Sequence, residues 1–207
     1  MSAITHVYQR YGKRLADIVL SLSGLIVLFP LLMLLSVVLL LVQGRPLFFS
    51  QSRVGRHFTM FKLHKFRSMR PSTAIIEAGF APQQQDRRTG IGRFLRASKL
   101  DELPQLWNVL RGDMSLVGPR PEVPQWIDSQ CQQWQIALSV RPGITDNASL
   151  IFFDEEEQLN LSASPEALYA EEILPEKLRL ACYYAHNVTL QGDVSIALKT
   201  ITLLIRH

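Results

Sequence analysis

The chain has 207 residues, 47% of them hydrophobic, and its 22 lysines and arginines outnumber 18 acidic residues for a net charge of +4. That length allows one domain with a modest core plus an appendage, and the positive balance suits anionic phosphates or an anionic membrane surface. No zinc-finger, RNA-binding or helix-turn-helix signature accompanies the charge, which argues against nucleic acid, and Cys131 and Cys182 show no metal spacing and favour a reducing compartment.

In chain order, the first element is apolar. Residues Ile18 to Val42 carry no charge and would extend roughly 37 Å as one helix, more than the ~30 Å hydrocarbon core, so a full span is physically open. A signal peptide fits less well, because the stretch is too long and no small-residue cleavage site follows. Pro30 stands in the middle, where it removes a backbone hydrogen bond and kinks or breaks a helix. Arg10, Lys13 and Arg14 precede the segment, and Arg45, Arg53 and Arg56 follow it. Basic flanks on both sides are met more easily if both ends stay in the cytoplasm. The segment is therefore read as a re-entrant hairpin-like helix that bends at Pro30, rather than a span. Either Ser23 or Ser36 satisfies the backbone near the break, or the kink at Pro30 is a gentle one.

Beyond Gly44, Leu47-Phe48-Phe49 and Phe58–Lys62 read as two short strands around a turn at Gly55. A basic stretch runs through Arg53, Arg56, Lys62, Lys65, Arg67 and Arg70, and a second from Arg87 through Arg93 and Arg96 to Lys99. Either alone is equally a solvated face or a membrane-surface patch. Residues 71–90 read as a loop, and a basic helix spans about Ile91 to Ser98.

Next come Asp101 and Glu102, just before Pro104. Proline is tolerated in the first turn of a helix, and here the helix carries Leu103, Leu106, Trp107 and Leu110 on its apolar side and stops at Gly112. Both acids thus sit where unpaired amides and the helix dipole favour negative charge. One acid would serve as an N-cap; two exceed that need. Two carboxylates among so many cations point to a metal ion and a polyphosphate, since Mg²⁺ is usually held by one or two carboxylates together with substrate phosphates. Arginine matches phosphate oxygens bidentately and lysine meets them as a point charge. In Gly118-Pro119-Arg120-Pro121 the flanking prolines rigidify the arginine's backbone. Residues Pro121 to Leu138 are expected to be helical, with Val123, Trp126, Ile127, Trp134 and Ala137 on one side. A further helix opens at Pro165 and runs to about His186. A last one starts at Asp193, with Val194, Ala197, Leu198, Ile201, Leu204 and Ile205 on one face, for packing or for lying on the bilayer. Asp154-Glu155-Glu156-Glu157 reads as a solvated acidic face. No P-loop, nucleophile elbow, paired-His zinc motif or Asp-x-Asp triplet is present.

The string from Leu100-Asp101-Glu102-Leu103-Pro104-Gln105 through Gly118-Pro119-Arg120-Pro121 resembles the core of the bacterial sugar transferases, the monotopic phosphoglycosyl transferases. Lys13-Arg14-Leu15-Ala16-Asp17, Phe61 to Met69 and Val140-Arg141-Pro142-Gly143-Ile144-Thr145 agree in order, and the likeness covers roughly Tyr11 to Thr200. The resemblance implies an α+β, mainly helical protein. Residues 1–43 would form an N-terminal re-entrant membrane helix broken at Pro30, and residues 44–207 a catalytic domain resting with amphipathic helices on the cytoplasmic face of the bacterial inner membrane. It implies transfer of a sugar-1-phosphate from a UDP-sugar to undecaprenyl phosphate with release of UMP. In that reaction Asp101 is the nucleophile, and Mg²⁺ is held by Asp101 and Glu102. Arg96, Arg120 and Arg141, with Lys65 and Arg67, bind phosphate; Pro30, Pro104, Pro119 and Pro121 shape the motifs. Many members continue after Thr145 with Gly-Trp-Ala-Gln-Val-Asn-Gly, whereas this chain has Asp146-Asn147-Ala148-Ser149-Leu150, which leaves the sugar open. Membrane lipids are expected partners, and a homo-oligomer is left open. Two alternatives stand beside this reading: a non-enzymatic basic membrane-surface protein, and a metal-dependent lipid-diphosphate hydrolase.

Overall fold

The computed structural model describes residues 7–69 and 89–206. Arg70, Arg87 and Arg88, and all but the last two positions of the expected 71–90 loop, lie outside the described residues. A π-helical turn at Tyr8–Gly12 leads into α1, Lys13–Gln43. This 31-residue helix is about 46 Å long at 1.5 Å per residue. Among the described residues it is the one helix long and apolar enough to cross a membrane. It is assigned as one continuous helix through Pro30, so the expected break is not an interruption of helical structure. Ser36 donates to the Leu32 carbonyl at 2.7 Å, not to that of Ile26, whose partner the proline removes.

Helix α1 ends where Gly44 takes a positive φ of 67°. Strands β1 (Phe48–Val54) and β2 (Met60–Phe66) then form an antiparallel hairpin, with Phe48 opposite Phe66 and Val54 opposite Met60. Both strands are longer than their apolar cores suggest. Helix α2 is Gly90–Ala97, N-capped by the Thr89 hydroxyl, which accepts from Gly92 N–H at 3.0 Å. A 3₁₀ turn at Leu100–Glu102 runs through Leu103 and Pro104 into α3, Gln105–Arg111, which closes at Gly112 with φ 94°.

The short strands β3 (Ser115–Val117) and β4 (Gly143–Thr145) pair in parallel, Ser115 against Gly143 and Val117 against Thr145. Just beyond β3 the backbones nearly touch: a Cβ on Gly118 would lie 2.4 Å from the Arg141 carbonyl, and one on Gly143 2.1 Å from Gly118 N. Only glycine permits that approach. The continuous helix expected over Pro121–Leu138 is corrected to a 3₁₀ turn at Pro124–Trp126 and a short α4, Gln132–Ala137. Pro121 and Pro124 supply no N–H to an unbroken helical ladder. Trp134 is buried in a core with Val54, Ala137, Leu138, Leu178 and Ala181, and Trp126 packs on Tyr169 with centroids 5.3 Å apart.

Helices α5 (Asn147–Ile151), α6 (Glu155–Leu161) and α7 (Pro165–Leu168) follow. A π-helical turn joins α7 to α8, Leu174–His186, as the sequence indicates for 165–186. The last helix, α9, is Leu190–Arg206. It packs through Asp193, Ile196 and Ala197, whereas Val194, Leu198, Ile201 and Ile205 are exposed. The apolar face read from the sequence is therefore largely the outer one.

Helix α1 lies along this domain. Near its start, Lys13 Nζ contacts Asp193 Oδ2 at 2.5 Å, and Tyr8 and Tyr184 hydroxyls donate to the same carboxylate at 2.6 and 2.8 Å. Arg14 donates to the Val109 and Leu110 carbonyls at 2.6 and 2.8 Å, filling acceptors at the C-terminal end of α3. Asp17 Oδ1 accepts from the Ser115 hydroxyl and Leu116 N–H, both at 3.0 Å. Beyond Pro30, Leu31, Leu32, Leu35 and Leu39 pack with Phe66, Leu95 and Leu100. The opposite side, including Val19, Ile26, Val27, Phe29, Leu34 and Leu41, is exposed.

Candidate active site

The acid pair sits in a turn set up by Lys99, whose φ of 54° reverses the chain between α2 and the 3₁₀ segment. Leu95 and Leu100 below it belong to the cluster that packs on the second half of α1. Asn108, fully buried, ties α3 to β2: its side chain donates to the Lys62 carbonyl at 2.8 Å and accepts from His64 N–H at 3.1 Å. That clasp brings Lys65 of β2 over the acids.

Glu102 carries two cations. Lys65 Nζ and an Arg120 guanidinium nitrogen each lie 2.7 Å from Oε1, and a second Arg120 nitrogen is 3.5 Å from Oε2. Burial alone would push the Glu102 carboxyl up, but Arg120 and Lys65 overcome it and hold the group well below the usual carboxylate range. Burial lowers Lys65, with Glu102 opposing.

Asp101 differs from its neighbour. It is 4% exposed, and its Oδ1 has no hydrogen-bond partner among the described residues. Burial pushes its carboxyl up and Glu102 adds to the rise, while Lys65, Arg96 and Lys99 pull it down. Buried polar atoms are usually paired, so a carboxylate oxygen left open amid cations is free to meet a further partner. One turn on, Gln105 is 2% exposed and its Nε2 also lacks a partner among the described residues.

The Pro119-Arg120-Pro121 turn presents Arg120 to Glu102 from the far side. The Pro119 carbonyl accepts from Gly143 N–H at 2.9 Å, the Pro121 carbonyl accepts from Arg53 at 3.0 Å, and Arg120 N–H donates to Asp146 Oδ2 at 3.1 Å. Pro104 is the residue before α3 and directs the acids' turn into the helix.

Of the remaining expected phosphate ligands, Arg96 lies near Asp101, while Arg141 and Arg67 are engaged elsewhere. Arg96 acts electrostatically on Asp101, but its guanidinium is held by Glu156 Oε2 at 2.6 and 3.2 Å. The acidic run is thus partly engaged: Glu156 holds Arg96, and Glu155 holds Lys177 at 2.7 Å. Arg141 donates through Nε to the Gly112 carbonyl at 2.9 Å, at the opposite end of α3 from the acids. Arg67 caps the end of α1, donating to the carbonyls of Gln43, Gly44 at 2.9 Å and Arg45 at 3.0 Å.

A divalent ion fits this donor set only in company. No group of three or more His, Cys, Asp or Glu residues suited to a metal occurs among the described residues. The available oxygens are those of Asp101 together with Glu102 Oε2, and Mg²⁺ commonly takes one or two carboxylates and completes its shell with phosphate and water.

Asp146, Asn108 and Gln105 were not singled out as site residues by the sequence. A polar side chain within an otherwise apolar helical pattern is the signal that marks Gln105 and Asn108. Asp146 has a weaker one, an acid just before a short helix.

A carboxylate pair at a helix start, a basic strand above it and a long apolar helix packed below are the features of a site suited to an anionic ligand beside an apolar surface. The chain belongs to the bacterial sugar transferase family, whose pattern matches residues 8–207. It is 33% identical over 213 residues to the undecaprenyl-phosphate galactose phosphotransferase of Salmonella typhimurium, covering 96% of this chain and 41% of that protein. It is 45% identical over 112 residues to a putative undecaprenyl-phosphate N-acetylgalactosaminyl 1-phosphate transferase of Bacillus subtilis, covering 54% of this chain and 63% of the relative. It is also 32% identical over 196 residues to the UDP-glucose:undecaprenyl-phosphate glucose-1-phosphate transferase of Caulobacter vibrioides, covering 93% and 69%. The chain thus spans less than half of the Salmonella protein and about two thirds of the other two.

Proposed function

We propose that the chain transfers a sugar-1-phosphate from a UDP-sugar to undecaprenyl phosphate, in two steps at Asp101. A carboxylate oxygen of Asp101 attacks the sugar-bearing phosphorus; the bond from that phosphorus to the bridging oxygen breaks, and UMP leaves with that oxygen. An oxygen of undecaprenyl phosphate then attacks the same phosphorus, forming the sugar diphosphopolyprenol and returning Asp101 as a free carboxylate. This is covalent catalysis by a carboxylate. The observation that carries it is the contrast within the acid pair: Glu102 is neutralised by Lys65 and Arg120, while Asp101 keeps an unpartnered buried oxygen.

Glu102 holds Lys65 and Arg120 in place and leaves their remaining N–H groups for phosphate oxygens. Arg96 is the second cation beside Asp101, released to a phosphate when Glu156 gives it up. Mg²⁺, held by Asp101 and Glu102 with the diphosphate, would screen the repulsion between carboxylate and substrate and stabilise charge on the leaving UMP.

The acceptor is an isoprenoid in the bilayer and the donor is water-soluble, so the site belongs at the cytoplasmic surface of the inner membrane. A re-entrant α1 fits that placement. Its start meets α9 and β3, and its second half meets Phe66, Leu95 and Leu100 of the same domain. A helix with both halves on one polar domain does not leave ~30 Å free to cross the hydrocarbon core.

The test is UMP release by the purified chain in detergent with undecaprenyl phosphate and Mg²⁺. UDP-glucose, UDP-galactose and their N-acetylamino counterparts are supplied in turn. Transfer predicts UMP and a lipid-linked product with at least one donor. Free sugar phosphate without lipid product would indicate hydrolysis, and no turnover with any donor would favour a non-enzymatic membrane-surface role.

A further inference from the structure

The segment Pro119-Arg120-Pro121 has a single backbone N–H, that of Arg120, because neither proline has one. Asp146 takes it: Oδ2 accepts from Arg120 N–H at 3.1 Å, while Oδ1 accepts from Ser149 N–H at 2.7 Å and caps α5. Asp146 is 4% exposed and shares the wall of a small buried cavity with Pro119, Arg120 and Pro142. A helix cap needs one side-chain oxygen, which serine supplies as well as aspartate. Here the second oxygen reaches across to the turn that aims the Glu102-bound guanidinium, and the carboxylate's charge also favours the charged form of Arg120.

We propose that Asp146 is a positioning residue for sugar-phosphate transfer, fixing the Pro119-Arg120-Pro121 turn so that the Arg120 guanidinium stands between Glu102 and the incoming diphosphate. The inference rests on the reading of Arg120 as a phosphate-gripping group. Asp146 touches no reacting atom. It acts by holding the turn's one backbone donor, so that Arg120 does not have to be ordered anew in each turnover.

Asp146→Ser separates the two roles, since a serine hydroxyl keeps the cap on Ser149 and is too short to hold Arg120 as well. Hydrogen exchange of the peptide over residues 116–124 should show one protected amide lost in Asp146→Ser, with α5 protection kept; Asp146→Ala should lose both. With undecaprenyl phosphate and an equimolar mixture of UDP-glucose, UDP-galactose and their N-acetylamino forms, kcat for UMP release should fall about tenfold in Asp146→Ser, with a smaller change in KM. The decisive readout is coupling. In an Arg120→Ala background, Asp146→Ser should cost nothing further, because there is no guanidinium left to aim.

Additive losses in the double variant, or wild-type kcat in Asp146→Ser with the Arg120 amide unprotected, would overturn the positioning role while leaving the transfer reaction standing. Wild-type turnover in Arg120→Ala alone would instead remove Arg120 from phosphate binding, and the inference falls with that reading. No UMP from wild type under any condition would strike the reaction itself, and with it any role in aiming for it.

Discussion

Asp193 and Asp101 are both nearly buried aspartates with cationic neighbours, Lys13 at the first and Lys65, Arg96 and Lys99 at the second, at 6% and 4% exposure, yet they are treated oppositely. Asp193 accepts from Tyr8, Lys13 and Tyr184, and the Tyr184 and Lys13 groups also reach the Val117 carbonyl at 3.0 and 2.9 Å. Burial raises the Tyr184 hydroxyl far above its usual range, with Asp193 adding to the rise, so it remains a donor. Every oxygen there is used. Asp101 has cations nearby but no hydrogen-bond partner on Oδ1 among the described residues. A satisfied network rigidifies a fold, while an unsatisfied one stores a penalty that a bound partner can relieve. The difference separates the anchor of α1 from the proposed place of chemistry.

The largest effect expected at either place is on turnover. Asp101→Asn should lower UMP release on the order of a thousandfold or more, because an amide is a very poor nucleophile. Intact-mass spectrometry of the wild type with UDP-sugar and Mg²⁺, without undecaprenyl phosphate, should show a sugar-phosphate adduct mapping to Asp101 and absent from the variant. The same variant should fold at least as well. A carboxyl raised by burial loses stability as pH climbs from its unfolded to its folded pKa, so the neutral amide removes that loss. Robust transfer by Asp101→Asn, or an adduct on Glu102, would erase the distinction between the two clusters.

At the anchor the outcome is reversed. Asp193→Ala takes the ion-pair partner from the half-buried Lys13 and the carboxylate acceptor from two tyrosine hydroxyls, a change expected to destabilise by about 3–5 kcal/mol. Thermal unfolding in detergent should show it, and the surviving folded fraction should keep its kcat. Lost kcat at unchanged stability would mean that the anchor is part of the site.

The Lys13-Arg14-Leu15-Ala16-Asp17 string shows why the sequence exposes some of this and hides the rest. Its charges are visible in the sequence as a basic flank, and the flank argues for topology. The partners of those charges lie 95 or more residues away, at Val109, Ser115 and Asp193. No local pattern pairs them. The acid pair, Pro104 and Gly112 are legible because helix starts and stops are local chemistry. The parallel β3–β4 pairing is hidden because each strand is three residues long and its partner is distant. Arg67 and Arg141 are phosphate ligands by resemblance; no sequence pattern shows that in the fold Arg67 also donates to the carbonyls at the end of α1 and Arg141 to the Gly112 carbonyl after α3.

A smaller effect separates the two acids of the site by pH. Glu102 is held below the usual carboxylate range, so its contribution to stability is present above the unfolded pKa and is lost as pH falls through the folded one. In chelator, thermal stability of the wild type should therefore drop on acidification more than that of Glu102→Gln, whose curve lacks this component. Arg120→Lys keeps a charge on Glu102 but loses the fork, so it should weaken turnover more than stability. Parallel acid curves for wild type and Glu102→Gln would mean that Lys65 and Arg120 do not depend on that charge.

The smallest expected change in energy, and the one that bears on topology, concerns Pro30. Proline inside α1 removes one backbone hydrogen bond, and leucine in its place restores the donor without touching Asp193 or Asp101. Cysteines introduced near residues 5 and 50 of the wild type should both be labelled from the cytoplasmic side of intact inner-membrane vesicles. Pro30→Leu gives a straighter apolar helix of sufficient length to span. The Lys13–Asp193 contact and the Leu35 and Leu39 packing oppose spanning, because each holds a different half of α1 to the same domain. Pro30→Leu alone should therefore shift only a fraction of the molecules to opposite-side labelling, and Pro30→Leu combined with Asp193→Ala should shift more. Opposite-side labelling of the wild type would show that α1 spans, and would uncouple the anchor from topology.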